Sequence, residues 1–268
     1  MMSADDTNLP VYCDRNVVRF YARASQLQPA ERTILESLEG RLPGMRMLDL
    51  GVGGGRTTVH FAARVARYVA LDYSPGMIAA ARERFSSGAH EFILGDAREL
   101  PFEDATFDFV LFSHNGIDYV EHDDRLRILQ EVRRVVRDEG TFVFSTHNLD
   151  REDLDLFPRS KRNPIAKALR SFRRARLLAN NPLHQEMCTE PHAMINDGAF
   201  DFRCTTYHIR LGAQLEQLRA AGFEAIRVYA ATTGRELPSS DDVPPTDPWL
   251  YFAAQAASTR FRPRSLAR

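Results

Sequence analysis

The chain has 268 residues, of which 44 % are hydrophobic and 26 % charged, enough apolar material for one large domain or one domain with an elaboration. Its 35 basic and 36 acidic side chains leave a formal net charge of -1. That balance excludes a global attraction to nucleic acid or anionic lipid, so any such partner would need a local patch.

In chain order, helices are expected around Asn16–Ala22 and Ala30–Leu38. Met45–Gly51 reads as a short strand ending in glycines. Arg56–Val65 reads as a helix, with Val59, Ala62 and Ala63 at helical spacing. Tyr68–Asp72 is a second strand, and Pro75–Phe85 a helix with its proline near the start. Strands follow at Glu91–Gly95 and Phe107–Phe112. An amphipathic helix over Asp124–Arg137 places Leu126, Leu129, Val132 and Val136 on one face. Gly140–Ser145 is a fifth strand, after which the rhythm breaks beyond Asn148. It resumes with a helix at Gly212–Ala221 and strands at Phe223–Ala230 and Trp249–Ala256, separated by a Pro-, Asp- and Ser-rich loop over 231–248. Strands alternating with helices predict a parallel sheet covered on both faces, and the unbroken apolar runs in the second and fourth strands fit burial on both sides.

The run Leu48-Asp49-Leu50-Gly51-Val52-Gly53-Gly54-Gly55-Arg56 closes the first strand and opens a helix. Its glycines permit a sharp turn and let a ligand approach the main chain. Asp72 ends the second strand, where a carboxylate can accept hydrogen bonds from ribose hydroxyls. A nicotinamide-binding protein would share both features. Its fingerprint wants glycine three residues after the second one, and Arg56 stands there. Asp49 also suits a ligand bearing an ammonium group better than one bearing phosphates.

With these residues in place, the chain resembles class I S-adenosylmethionine-dependent methyltransferases of the small-molecule branch. Met47–Gly55 resembles the first family motif, which holds the methionine part of the cofactor through Asp49, Gly51 and Gly53. Ala70-Leu71-Asp72-Tyr73-Ser74 resembles the second, with Asp72 on the ribose and Met77 against the adenine. Gly95-Asp96-Ala97 resembles the third, with Asp96 and the Ala97 amide on the adenine. Phe107–Phe112 resembles the fourth strand, with main chain near Phe112 and Ser113 meeting the cofactor's amino group. The resemblance implies an α/β, Rossmann-like, doubly wound sheet of seven strands with the last antiparallel. It implies S-adenosyl-L-methionine as cofactor and S-adenosyl-L-homocysteine as product. The acceptor would be an O or N atom of a small molecule, including one carrying phosphate or carboxylate, such as a sugar, a nucleotide-sugar or a natural-product intermediate. For Tyr21, with Tyr12 behind it, two readings stand: a lid over the cofactor, or ring packing within a helix.

Methyl transfer needs alignment and exclusion of water, and a base where the acceptor is a hydroxyl. His114 after strand four and His147 after strand five are the candidate catalytic residues, with Asp118 and Tyr119 in the loop between. His192, Tyr207 and His208 are further pocket candidates. Glu121-His122-Asp123-Asp124 reads as a helix start whose acids complement the dipole, not as a metal site. The odd set of Cys13, Cys188 and Cys204 lacks CxxC spacing, so neither a disulfide framework nor a metal centre is expected.

The expected organisation is a cofactor-binding core over 1–150 and 206–257, a helical cap inserted over 151–205 after strand five, and a basic tail over 258–268. The cap carries a basic stretch, Arg159–Arg176, and an apolar set of Leu154, Phe157, Ile165, Leu169 and Phe172. It reads as a solvated lid, a clamp for an acidic acceptor, or a segment resting on a membrane surface. An RNA methyltransferase is the competing enzyme class and a non-catalytic cofactor-binding protein the competing non-enzyme; the lack of an RNA-binding module disfavours a nucleic-acid partner. A homodimer is compatible with the sequence. With no secretory apolar run and no stretch of membrane-spanning length, a cytoplasmic location is expected.

Overall fold

The computed structural model of the chain describes residues 4–88, 90–150, 171–172, 175–181, 189–238 and 247–258. Three helices lead in: α1 (Ala4–Tyr12), α2 (Arg15–Arg23) and α3 (Pro29–Leu38). Asp14 starts α2 by accepting hydrogen bonds from the Asn16 and Val17 amides, at 2.8 and 3.4 Å. Glu31 closes the first turn of α3 by accepting from the Gln28 amide at 2.7 Å.

One mixed sheet follows. Its strands are β1 (Arg46–Leu50), β2 (Arg67–Asp72), β3 (Glu91–Leu94), β4 (Phe107–Phe112), β5 (Val136–Asn148), β6 (His192–Ile195), β7 (Thr206–Ile209), β8 (Phe223–Ala230), β9 (Glu236–Leu237) and β10 (Trp249–Ala256). The spatial order is β3-β2-β1-β4-β5-β10-β8-β9, with β10 antiparallel to both neighbours. Helices α4 (Thr58–Phe61), α5 (Pro75–Arg84), α6 (His122–Val135) and α7 (Leu211–Ala220) lie between strands. Period-two alternation divides the core. Leu48, Leu50, Val110, Phe142 and Phe144 pack with Leu129 and Val132 of α6 and Leu215 of α7. Met47, Phe109, Leu111, Val143 and Tyr251 pack with Ile34 and Leu35 of α3 and Ile78 of α5. The sheet is therefore covered on both faces, as its apolar strands require.

The structure departs from the sequence reading in several places, among them the junction of α6 and β5, where Val136 and Arg137 belong to the strand and not to the helix. The sheet has ten strands among the described residues where seven were expected. The additions are β9, which pairs antiparallel with β8, and the hairpin β6–β7. Strand β5 runs to Asn148, so His147 lies within the strand and does not follow it. It persists because His147 pairs with Trp249 of β10 on one edge and His208 of β7 on the other. The helix expected over Arg56–Val65 shortens to α4 and a 3₁₀ turn at Ala62–Arg64, with Val59 exposed and Phe61 buried. The β-branched run Thr57-Thr58-Val59 is a poor helix former. Finally, α1 had no counterpart in the periodicity.

The organisation into core, cap and tail cannot be traced through 151–170, which lies outside the described residues, as do most of Arg159–Arg176, the apolar positions Leu154, Phe157, Ile165 and Leu169, Cys188, and the tail from residue 259. Phe172 is exposed. Among the described residues no helix is long and apolar enough to cross a membrane.

Beneath the ends of β4 and β5 sits a buried ion pair. Asp118 and Arg125 are both 0 % exposed, and Arg125 Nη1 donates to Asp118 Oδ1 at 2.6 Å. Arg125 also donates to Gln214 at 2.6 Å and to Thr146 at 3.1 Å, with its guanidinium 4.6 Å above the Tyr207 ring. Removing one partner of such a pair strands the other charge in a dry environment. Arg125→Leu is expected to lower the unfolding free energy by about 3–5 kcal/mol in urea titration at neutral pH; a loss well under that would mean that water reaches Asp118.

Candidate functional site

The strand order reverses between β1 and β4, and a crevice opens outside their carboxyl ends, the place where doubly wound sheets bind ligands. A cavity of about 1020 Å³, counted with its open mouth, lies there. Asp49, Gly51, Gly53, Asp72, Tyr73, Met77, Asp96, Ala97, Phe112, Ser113 and Tyr21 all line it, as do Tyr12, Arg56, His114 and Tyr119. His147, His192, Tyr207 and His208 are not among its lining residues.

Two glycines shape the loop after β1. Gly51 has φ +61°, and a Cβ there would meet the Phe112 ring at 2.8 Å. A Cβ on Gly54 would lie 2.4 Å from the Cα of Ala22, so only glycine lets α2 close over the loop. That contact brings Tyr21 to the cavity, where its ring packs edge-on against His114 at 6.2 Å. Tyr21 is thus both a cavity wall and an aromatic packing partner of His114.

Asp72 accepts from the Gly53 amide at 2.8 Å and from the Ser74 amide at 2.9 Å. Burial pushes its pKa up, outweighing these hydrogen bonds. Ser74 caps α5 by accepting from the Met77 amide at 3.4 Å, and its hydroxyl donates to the Tyr12 carbonyl at 2.8 Å. Asp49 is 1 % exposed and accepts from the hydroxyls of Thr57 and Tyr68. Burial raises its pKa to about 6 against those two bonds. Burial would also raise Asp96, but hydrogen bonds and charge from Arg98 prevail and lower it. Arg98 in turn reaches Asp124, the first-turn acid of α6, at 2.8 Å.

The sequence reading missed Glu31. Arg56 forks onto both of its carboxylate oxygens at 2.6 Å each, and Tyr251 donates to it at 2.8 Å. Ser113 joins the same cluster, donating to Glu31 and accepting from Arg56. Burial would lift the Glu31 pKa, yet Arg56 holds it below the ordinary carboxylate range. Its only local trace is the spacing of Gln28 and Glu31 at a helix start; nothing local announces the partner at Arg56.

The Glu121–Asp124 segment starts α6 as expected, with His122 Nδ1 2.8 Å from the Tyr207 hydroxyl. His192 stacks on His122, centroids 4.0 Å apart. His114 has φ +56° and its exposed surface opens into the cavity. Burial and the nearby Arg56 charge depress its pKa to about 4. His147 lies one step behind. Its Nδ1 and its backbone amide both meet Asp118 Oδ2, at 2.7 and 2.8 Å, and its Nε2 lies 3.3 Å from the Asn115 amide nitrogen.

A doubly wound sheet with a glycine turn, a carboxylate ending β2 and a cavity at the switch point defines a nucleoside-binding crevice. Residues 47–140 match the model of a methyltransferase domain. The malonyl-[acyl-carrier protein] O-methyltransferase of Serratia marcescens is 33 % identical over 153 residues, 54 % of this chain and 56 % of that protein. The demethylmenaquinone methyltransferase of Mycobacterium sp. (strain KMS) is 38 % identical over 143 residues, 52 % of this chain and 56 % of that protein. The chain thus spans about half the length of these curated relatives. In fold it is similar to the Burkholderia thailandensis 1,6-didemethyltoxoflavin-N1-methyltransferase solved with S-adenosylhomocysteine. The TM-score is 0.54 at 18 % identity, covering 89 % of this chain and 79 % of that one. Over residues 47–140 the chain is thus similar to methyltransferase domains, and its fold is similar to that of a methyltransferase solved with S-adenosylhomocysteine.

A His114 ring held neutral contributes stability that is complete above its unfolded pKa near 6.5 and is lost as pH falls toward the folded value of about 4. Nitrogen-15 spectra of the histidine rings should show His114 neutral down to about pH 5; a midpoint near 6.5 would mean that water on the open side of the ring offsets the Arg56 charge.

Proposed function

We propose that this chain transfers the methyl group of S-adenosylmethionine to an oxygen or nitrogen atom of a small molecule. The observation that carries the proposal is the single cavity that gathers the glycine turn, Asp72, Met77, Asp96 and Ala97 at the switch point. The cavity fits the cofactor. Gly53 faces it with Met77 Sδ and Tyr21 Cβ no nearer than 4.0 Å to a built Cβ, and Asp72 ends β2 inside it. In this reading Asp72 accepts the ribose hydroxyls, Met77 and Ala97 flank the adenine with Asp96 on its amino group, and Asp49 faces the ammonium group with Gly51, Gly53 and the main chain at Phe112 and Ser113 around it. The bound cofactor supplies an activated methyl group, and the protein's task is alignment and exclusion of water.

Tyr12, Tyr21 and Tyr119 form the aromatic side of the cavity, with Tyr12 and Tyr119 rings 4.9 Å apart, which supports an acceptor with a planar or apolar body. Two relatives are named for a malonyl-[acyl-carrier protein] and for a demethylmenaquinone, both consistent with a tethered or apolar acceptor. Tyr73 lines the cavity beside Asp72 and completes this aromatic side. His114, neutral at physiological pH, is the acceptor-side hydrogen-bond acceptor; His147, held by Asp118, stands behind it.

Two measurements test the reading. Calorimetry with S-adenosylhomocysteine should show binding that Asp72→Ala weakens by about a hundredfold, the value of two charge-assisted hydrogen bonds; unchanged affinity would sink the ribose assignment. If Asp49 faces the ammonium group, it must ionise to bind. Affinity should then rise as pH climbs through its pKa of about 6, and Asp49→Asn should flatten that rise. An equal slope in both proteins would place the ammonium elsewhere.

A further inference from the structure

Behind the cavity wall, under the hairpin β6–β7, lies a second polar cluster. His147 of β5, His208 of β7 and Asp197 of the loop between β6 and β7 are 6 %, 3 % and 8 % exposed. One ligand-type atom from each lies within 4.8 Å of the others, and His147 Nε2 is 3.8 Å from Asp197 Oδ2.

Which nitrogen of His147 meets Asp118 as a donor follows from counting. Asp118 accepts from Arg125 at 2.6 Å, Thr146 at 2.7 Å, and the His147 amide and Nδ1 at 2.8 and 2.7 Å. Four donors fill the acceptor sites of a carboxylate, so the hydrogen between Asp118 and His147 sits on Nδ1. Nε2 faces Asp197, whose Oδ2 lies 3.8 Å away, beyond hydrogen-bond reach, and a cation between the two would be held by both. A carboxylate gripping the far nitrogen of a histidine is also the arrangement that orients metal-bound imidazoles. Asn115 adds an oxygen. Its Oδ1 is buried without a hydrogen-bond partner, while its Nδ2 lies 3.3 Å from His147 Nε2, and a half-turn of the amide would exchange the two.

We propose that His147, Asp197 and His208 form a binding site for a divalent first-row metal ion such as zinc, with Asn115 Oδ1 as a further ligand. Two imidazoles and a carboxylate suit zinc, iron and manganese better than calcium or magnesium. Metal–ligand bonds of about 2.1 Å require ligand atoms no more than about 4.2 Å apart. The His147–Asp197 pair already satisfies this. The widest spacing, 4.8 Å, closes by roughly half an ångström, with a turn of the His208 ring about its soft Cβ–Cγ torsion away from its stack on His147. The site adjoins the cavity through Asn115, which sits between the lining residues His114 and Gly116. Under the transferase reading, on which this last step rests, the cation stands where an acceptor oxygen could reach it and lose its proton more readily.

The test needs no methyl acceptor. The full chain, stripped with EDTA, is titrated with zinc chloride by calorimetry and with cobalt chloride by absorption. One equivalent of zinc should bind with micromolar or tighter affinity, and Asp197→Asn and His208→Asn should each weaken it by about tenfold or more. Nitrogen-15 spectra of the wild-type chain should show zinc shifting the His147 and His208 rings while His122 and His192 stay still. Failure to bind, or binding that both variants leave unchanged, or zinc acting on His122 and His192, would overturn the proposal. The wild-type spectra decide the matter even where a variant melts early. S-adenosylhomocysteine binding, measured alongside, fails only if the transferase reading fails.

Discussion

The cavity depends on one buried carboxylate. Glu31 gathers Arg56 from the glycine loop, Ser113 from the end of β4 and Tyr251 from β10. With Glu31 on α3, the four groups come from four separate parts of the chain, and Arg56, with 13 % of its side chain exposed, is paired with this carboxylate. Burying a charge is tolerable only where a partner and hydrogen bonds meet it, and here the bidentate fork does so. The pair also explains why arginine can stand where a dinucleotide-binding turn would want glycine. The side chain leaves the loop sideways, toward α3, and the ligand side of the turn stays open.

A second such knot, around Asp118 and Arg125, holds the other end of the crevice. Its effect is different in kind. The first knot fixes the main chain of the glycine loop, while the second fixes the orientation of a histidine ring. Both bury charge beside a cavity in which Asp49 has a raised pKa and His114 a depressed one. The ligand therefore meets groups whose ionisation responds to its own charge, within walls that do not respond.

Much of this was legible in the sequence. The apolar runs at β1, β2 and β4 and the amphipathic period of α6 located the core to within a few residues, and the last two long strands were placed at their observed bounds. The glycine turn and the acids ending strands mark themselves, because backbone conformation and strand ends are local properties. What was missed is long-range. Glu31 and Arg56 are 25 residues apart, and Glu31 and Tyr251 are 220 apart. No period or spacing reports such a pair. The strands β6, β7 and β9 escaped for a related reason: each is four residues or shorter, and each exists through a neighbour rather than through its own pattern. The extension of β5 to Asn148 likewise reflects pairing on both edges, which overrides the polar residues at its end.

The position of β10 has a consequence for how the chain comes into being. It comes after both β5 and β8 in the chain and yet lies between them. Until residue 256 has left the ribosome, β5 and β8 each present an open edge, and β5 is lined with Phe142 and Phe144. Unpaired apolar edges are where nascent chains find the wrong partners. Tyr251, which completes the Glu31 cluster, arrives on that same strand. The sheet and the cavity wall are therefore finished by one event, and a newly made chain acquires its binding crevice only when its aggregation-prone edges are sealed.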